Sequence, residues 1–230
     1  MQRVKSMSEF WNTISPYVSD WLYLIPAVAL SLTIHEFCHA YVAVKLGDPT
    51  PRYDGRLSLN PLHHIDAFGF IVMLIAHFGW AKPVRINPMY FENPRKGMMY
   101  TAIAGPISNI LICAISSLVF FFSLLLRGPL ILTNFFYYMT AINAGLAVFN
   151  LIPVHPLDGS RVVSYFFPRY ATFMARYGNV VQLIFIALLI LPSYFAVPGL
   201  DFLNRLIGAV QSGIVTLLMR LWSLIFNFLV

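Results

Sequence analysis

Apolar stretches of bilayer-crossing length recur along this 230-residue chain, at Trp21–Val44, Met98–Leu126, Leu130–Leu151 and Leu206–Val230, with a fifth over Val180–Leu191 that begins near Phe173. Nothing else in the sequence constrains the fold so tightly. About 20 apolar helical residues cross a hydrocarbon core, and inside that core only helices and closed barrels satisfy their own backbone polar groups. Charged residues make up 10% of the chain, against about 25% in a soluble globular domain. A soluble domain and a disordered chain are both excluded. The expected fold is an all-α polytopic membrane protein with about five transmembrane helices, forming a single domain over residues 1–230.

One shorter apolar segment, Ala67–Ala81, has about fifteen residues, below the roughly 17–25 of a comfortable span. It is expected to be re-entrant or interfacial. The flanking stretches GDPTPRYDGRLSLNPLHH and KPVRINPMYFENPR carry enough Pro, Gly and Asn to stop helices, which gives loops with some extended structure. At the amino end no long apolar core precedes a cleavage site, so no cleaved signal peptide is expected there. Phe10, Trp11 and Ile14 at helical spacing suggest an interfacial amphipathic segment. Cys38 and Cys113 both lie in apolar stretches, which argues against a disulfide framework. The net charge of +6 comes from basic residues scattered through short loops, a pattern of membrane topology rather than of nucleic-acid binding.

The chemistry is concentrated in SLTIHEFCHAYV, within the first span. His35-Glu36-Phe37-Cys38-His39 is an H-E-x-x-H, and residues four apart on a helix share a face. Two imidazoles so placed can hold one zinc ion while the adjacent glutamate serves as base for a water. A carboxylate at depth in a bilayer costs about 2.5–3.5 kcal/mol on the lenient insertion scale, so Glu36 there demands a partner or a role. A catalytic zinc needs a third protein ligand, and His63, His64, His77, Glu92, His155 and Asp158 are the candidates.

Depth narrows the choice. His35 lies fifteen residues beyond Asp20, about 22 Å along a helix and past the middle of a core about 30 Å thick. Asp158 follows the third span on backbone broken by Pro153 and Pro156, and it meets His35 only if the first and third spans run the same way. The segment Ala67–Ala81 must then loop back without crossing. On that topology ten Lys and Arg, from Lys45 and Arg52 to Arg169 and Arg176, share one face, against Arg3, Lys5, Arg127 and Arg205 on the other. The richer face is assigned to the cytoplasm, and the site sits in the bilayer nearer that side. His155 and Asp158 remain in contest, with Gly159 behind Asp158 giving the backbone room to turn inward.

HEFCHAYVAVKLGD, NPLHHIDAFGF, FGWAKPVRINP, AGPISN and NLIPVHPLDGSR, in this order, resemble the signature blocks of the intramembrane site-2 proteases, and most closely their compact bacterial members. The resemblance runs from about Ser31 to Val163. It implies that His35, His39 and Asp158 are ligands of one Zn2+ per chain, that Glu36 is the general base, and that Asn150, with Asn109, assists at the substrate or oxyanion. It also implies a zinc-dependent endopeptidase of a bacterial inner membrane, cutting transmembrane segments of membrane proteins in regulated intramembrane proteolysis. Its partners are then a transmembrane substrate protein and the lipid bilayer, and no nucleic acid. His155 departs from the family pattern, where an apolar residue or proline is commoner. The Pro- and Gly-rich segment from Gly47 to Pro94 could pair with an unwound substrate by strand addition. The alternative reading is a membrane zinc transporter or metal-binding membrane protein built on the same two histidines.

Overall fold

The computed structural model describes residues 7–66, 69, 82–195 and 201–227. Its helices are α1 (Met7–Lys45), α2 (Thr50–Tyr53), α3 (Pro94–Leu125), α4 (Leu130–Asn150), α5 (Asp158–Phe166), α6 (Pro168–Tyr194) and α7 (Phe202–Ile225). Among the described residues five helices are long and apolar enough to cross a membrane, over Asp20–Lys45, Pro94–Leu125, Leu130–Asn150, Pro168–Pro192 and Phe202–Ile225. The all-α polytopic reading therefore holds. The segment Ala67–Ala81 lies outside the described residues apart from Gly69, as do the side chains of Phe10, Trp11 and Ile14.

Helix starts follow local chemistry. Asn93 accepts from the Lys96 N–H at 3.0 Å while Pro94 takes the first helical position of α3, where its missing N–H costs nothing. The same Asn-Pro pairing caps two short 3-10 turns, Asn60 accepting from Leu62 N–H and Asn87 from Met89 N–H, both at 3.1 Å. Pro168 opens α6 several residues before the apolar run becomes continuous. Hydropathy alone put that start near Phe173, since Arg169 and Arg176 dilute the signal.

Side-chain pairs between helices fix their directions. Going along α1, Ser31 meets Asn143 of α4, and His35 and His39 then meet Asp158 beyond the end of α4, so α1 and α4 run parallel. Going the same way along α1, His35 meets Asn109 and His39 meets Thr101, so α3 runs against both. Ser123 and Thr133 close the α3–α4 turn. One antiparallel helix between two parallel ones is the arrangement the depth argument requires. The helix α7 packs on α4 and α3, with Gln211 donating to Ala141 O at 2.9 Å and Trp222 to Ser117 Oγ at 2.9 Å. Polar side chains of this kind join helices in lipid, where apolar contact gives no preference for protein over acyl chain.

Beyond α1 the chain turns at Gly47, whose φ of +109° suits glycine. Asp48 is fully buried and binds two backbone amides, Thr50 N–H at 3.0 Å and Asn87 N–H at 2.7 Å. Arg85 grips Asp54 through two bonds of 2.9 and 2.8 Å, and Lys82 N–H donates to His64 O at 2.8 Å. These ties hold residues 82–87, which form neither helix nor strand, beside α1.

Candidate active site

His35 and His39, one turn apart on α1, are 3% and 6% exposed, and their Nε2 atoms are 2.9 Å apart. Asp158 Oδ2 lies 3.3 Å from the first and 3.2 Å from the second. Among the described residues this is the single group of three His, Cys, Asp or Glu side chains able to hold a metal ion. Asp158 does not sit on an irregular turn, as the prolines before it suggested; it is the first residue of α5. A carboxylate there is favoured by the helix dipole. Behind it Gly159 is wedged on the backbone of Leu151 and Ile152, and a Cβ would come within 2.7 Å of Ile152 O and closer still to the Leu151 carbonyl.

Glu36 lines the neighbouring cavity, and its Oε2 accepts the Val84 N–H at 3.3 Å. The cavity, of about 860 Å³, is walled by Val28 and Leu32 of α1, Ile142, Leu146 and Phe149 of α4 and Phe185 and Ile186 of α6. Its polar lining includes His35, Glu36, His39, Asn150, Asp158, Arg161 and Gln182. Asn150 Nδ2 donates to Leu146 O at 3.0 Å, the helix-end bond its position suggests, while the residue still faces the cavity. Asn109 is elsewhere. It is fully buried between α1, α3 and α4, with Oδ1 on His35 Nδ1 at 2.5 Å and Nδ2 on Asn143 Oδ1 at 2.8 Å.

The remaining candidates for a third ligand stay apart from the cluster. His155 is exposed and lies against Gly178 of α6, and Glu92 is exposed. His63 is exposed and bonds Gly55 O at 3.1 Å, and His77 lies outside the described residues. His64 is fully buried, donates Nε2–H to Ser58 O at 2.7 Å, and leaves Nδ1 without a partner. Burial, more than the nearby Arg56 and His63, pushes its pKa below the ordinary imidazole value against the opposing pull of the Ser58 carbonyl and Glu36.

Comparison with known proteins gives the class of this site. Over 207 residues the chain is 37% identical to "Putative zinc metalloprotease YwhC" of Bacillus subtilis (strain 168), covering 82% of this chain and 92% of that relative. The family model described as Peptidase family M50 matches residues 127–192. The chain belongs to peptidase family M50. "Zinc metalloprotease MJ0392" of Methanocaldococcus jannaschii is 27% identical over 145 residues, covering 62% of this chain and 34% of that relative. No solved structure matches the chain. This M50 protein is a zinc metalloprotease of the site-2 type, and a multi-pass membrane protein.

The donor set of this M50 protease fits zinc. His39 Nδ1 lies 2.7 Å from Thr101 O, a carbonyl that only accepts, so Nδ1 carries the proton and Nε2 an electron pair. His35 Nδ1 faces Asn109 Oδ1 in the same sense. Two nitrogen lone pairs and a carboxylate oxygen thus converge with no proton to separate them, an arrangement that a cation stabilises. Their spacings of 2.9 to 3.3 Å compare with about 3.3 Å between tetrahedral ligands bonded at 2.0–2.1 Å.

The sequence reading assigns no role to Gly105, which lies in the AGPISN stretch. A Cβ at this position of α3 would lie 2.6 Å from His35 Nε2 and closer still to His39 Nε2, where the electron pairs converge. Gly105→Ala should favour the helix by about 1 kcal/mol and yet expel the metal. The expected product is a folded protein with little zinc and little protease activity, measured by metal content beside circular dichroism. Full zinc occupancy in that variant would show that the imidazoles have room to move aside.

Proposed function

We propose that this zinc metalloprotease is an intramembrane endopeptidase, hydrolysing peptide bonds within or beside transmembrane segments of other membrane proteins in regulated intramembrane proteolysis. His35, His39 and Asp158 hold the zinc. The observation that carries the reading is the juxtaposition of that cluster and Glu36 with a cavity whose walls are apolar side chains of α1, α4 and α6. A lining of this kind accepts apolar residues of a transmembrane segment, while the polar groups at its base receive one peptide bond. Bound zinc supplies a Lewis acid that polarises a carbonyl and acidifies water.

Glu36 takes the proton of the attacking water and returns it to the leaving amine, the paired acid and base duty of one carboxylate. The Val84 N–H on Oε2 holds that carboxylate in place. Asn150 faces the oxyanion from the end of α4. The cell membrane of a bacterium is the proposed location, with the site toward the cytoplasm on the strength of the ten-to-four distribution of Lys and Arg.

Reconstituted in proteoliposomes with a single-span substrate, the enzyme is expected to cut within or beside the span. Cleavage should stop when a chelator strips the zinc and resume when zinc is restored. Cuts confined to a soluble loop of the substrate would remove the intramembrane part of the reading and leave a metalloprotease.

A further inference from the structure

A chain of buried amides runs from His35 across three helices, and its direction is set at the far end. Asn143 of α4 has an amide nitrogen 2.8 Å from Met139 O and 2.7 Å from Ser31 Oγ. Met139 O is a backbone carbonyl and only accepts, so the atom facing it must be Nδ2. Oδ1 of Asn143 then faces Asn109, and the atom opposite it, 2.8 Å away, must be Asn109 Nδ2. Asn109 Oδ1 is thereby turned to His35 Nδ1 at 2.5 Å. A carbonyl oxygen there obliges Nδ1 to carry the proton, which leaves the electron pair on Nε2, beside His39 Nε2 and Asp158 Oδ2. Ser31 completes the set by passing its own proton to Ala27 O at 2.7 Å.

Each link needs the previous one. Turn the Asn109 amide over and its NH2 faces Nδ1, which forces the imidazole proton onto Nε2, into the point the three ligands share. Nothing in Asn109 itself prevents that flip, because its oxygen and nitrogen have nearly the same shape. The acceptor on Asn143 prevents it. Ser31, Asn109 and Asn143 are each fully buried, so no water competes for these bonds. Asn143 is neither one of the residues that line the cavity nor one of the three in the ligand cluster.

We infer that Asn143 is a positioning residue of the metal centre, acting through the orientation of Asn109 on the tautomer of His35. This rests on the ligand set proposed above. Partners of metal-bound histidines at one remove are worth about 10–100-fold in metal affinity.

The test uses full-length enzyme in lipid nanodiscs, with zinc affinity read by chelator competition and the coordination read from the visible absorption of the Co2+-substituted protein. Asn143→Leu, similar in size and without an amide, is expected to weaken zinc by about 10–100-fold and to alter the Co2+ spectrum. In an Asn109→Leu background the same change should add nothing, because the route through Asn109 is already cut. Asn143→Asp retains an acceptor for Asn109 Nδ2 and, protonated, a donor for Met139 O, and it should keep wild-type affinity and spectrum. Wild-type zinc affinity in Asn143→Leu, or an equal further loss in the Asn109→Leu background, overturns the inference. If Asn143→Leu does not fold, loss of affinity in a folded Asn143→Asp overturns it equally. His35→Ala separates the two levels: if zinc affinity survives that change, the ligand set is wrong, and if zinc is lost there but kept in Asn143→Leu, only the positioning role falls.

Discussion

Glutamine at position 36 is expected to leave zinc in place and to slow cleavage of a transmembrane substrate by about 10²–10⁴-fold, the usual contribution of a positioned base. The substitution is nearly isosteric, and the new amide oxygen can still accept the Val84 N–H that Glu36 Oε2 accepts at 3.3 Å. What disappears is an oxygen basic enough to take a proton from water. Metal content and turnover should therefore separate in this variant. Equal turnover in wild type and Glu36→Gln would remove Glu36 as the base, and loss of zinc would show that the carboxylate is needed to hold the metal.

The second large effect belongs to Asp158. The residue is 8% exposed and its carboxylate lies within 3.3 Å of both Nε2 atoms, so Asp158→Ala takes away one of the three proposed ligands and the negative charge among them. Zinc affinity should fall by at least about 100-fold, since partners one bond further out are already worth 10–100-fold, and cleavage should fall with it. His155→Ala is the control. That imidazole is exposed and packs against Gly178, and zinc and activity should both persist. A variant pair behaving the other way round would transfer the third ligand to His155.

How much of this was legible in the sequence depends on the distance over which each feature is encoded. His35 and His39 lie four residues apart, so their spacing alone predicts their shared face, with Glu36 beside it. The Asn-Pro pairs at Asn60, Asn87 and Asn93 announce their caps for the same reason, the bonded amide being two or three residues away. Asp158 is harder. Its meeting with the histidines follows from counting spans, but the helix it begins has nine residues, too few to show a period beside Pro153, Pro156 and Gly159. For Asn109 the resemblance implied a role at the substrate or oxyanion, and its bonds to His35, 74 positions away, and to Asn143 are set by the fold. Gly105, Asn143 and Ser31 gave no signal of their own. A small residue on an apolar helix resembles any packing residue until its neighbour is known, and that neighbour is supplied by the fold.

The distance along the chain between His39 and Asp158 also bears on biosynthesis. The carboxylate leaves the ribosome 119 residues after the second imidazole, about 6–24 s later at ordinary rates of translation. Throughout that interval the first span carries two imidazoles and the Glu36 carboxylate, but not the third proposed ligand. On the proposed ligand set the nascent chain then holds two of its three zinc ligands, and full metal affinity is expected only once Asp158 has joined them. The order of the residues thus makes the metal site one of the later features of the fold to be completed, since its third proposed ligand is supplied at position 158.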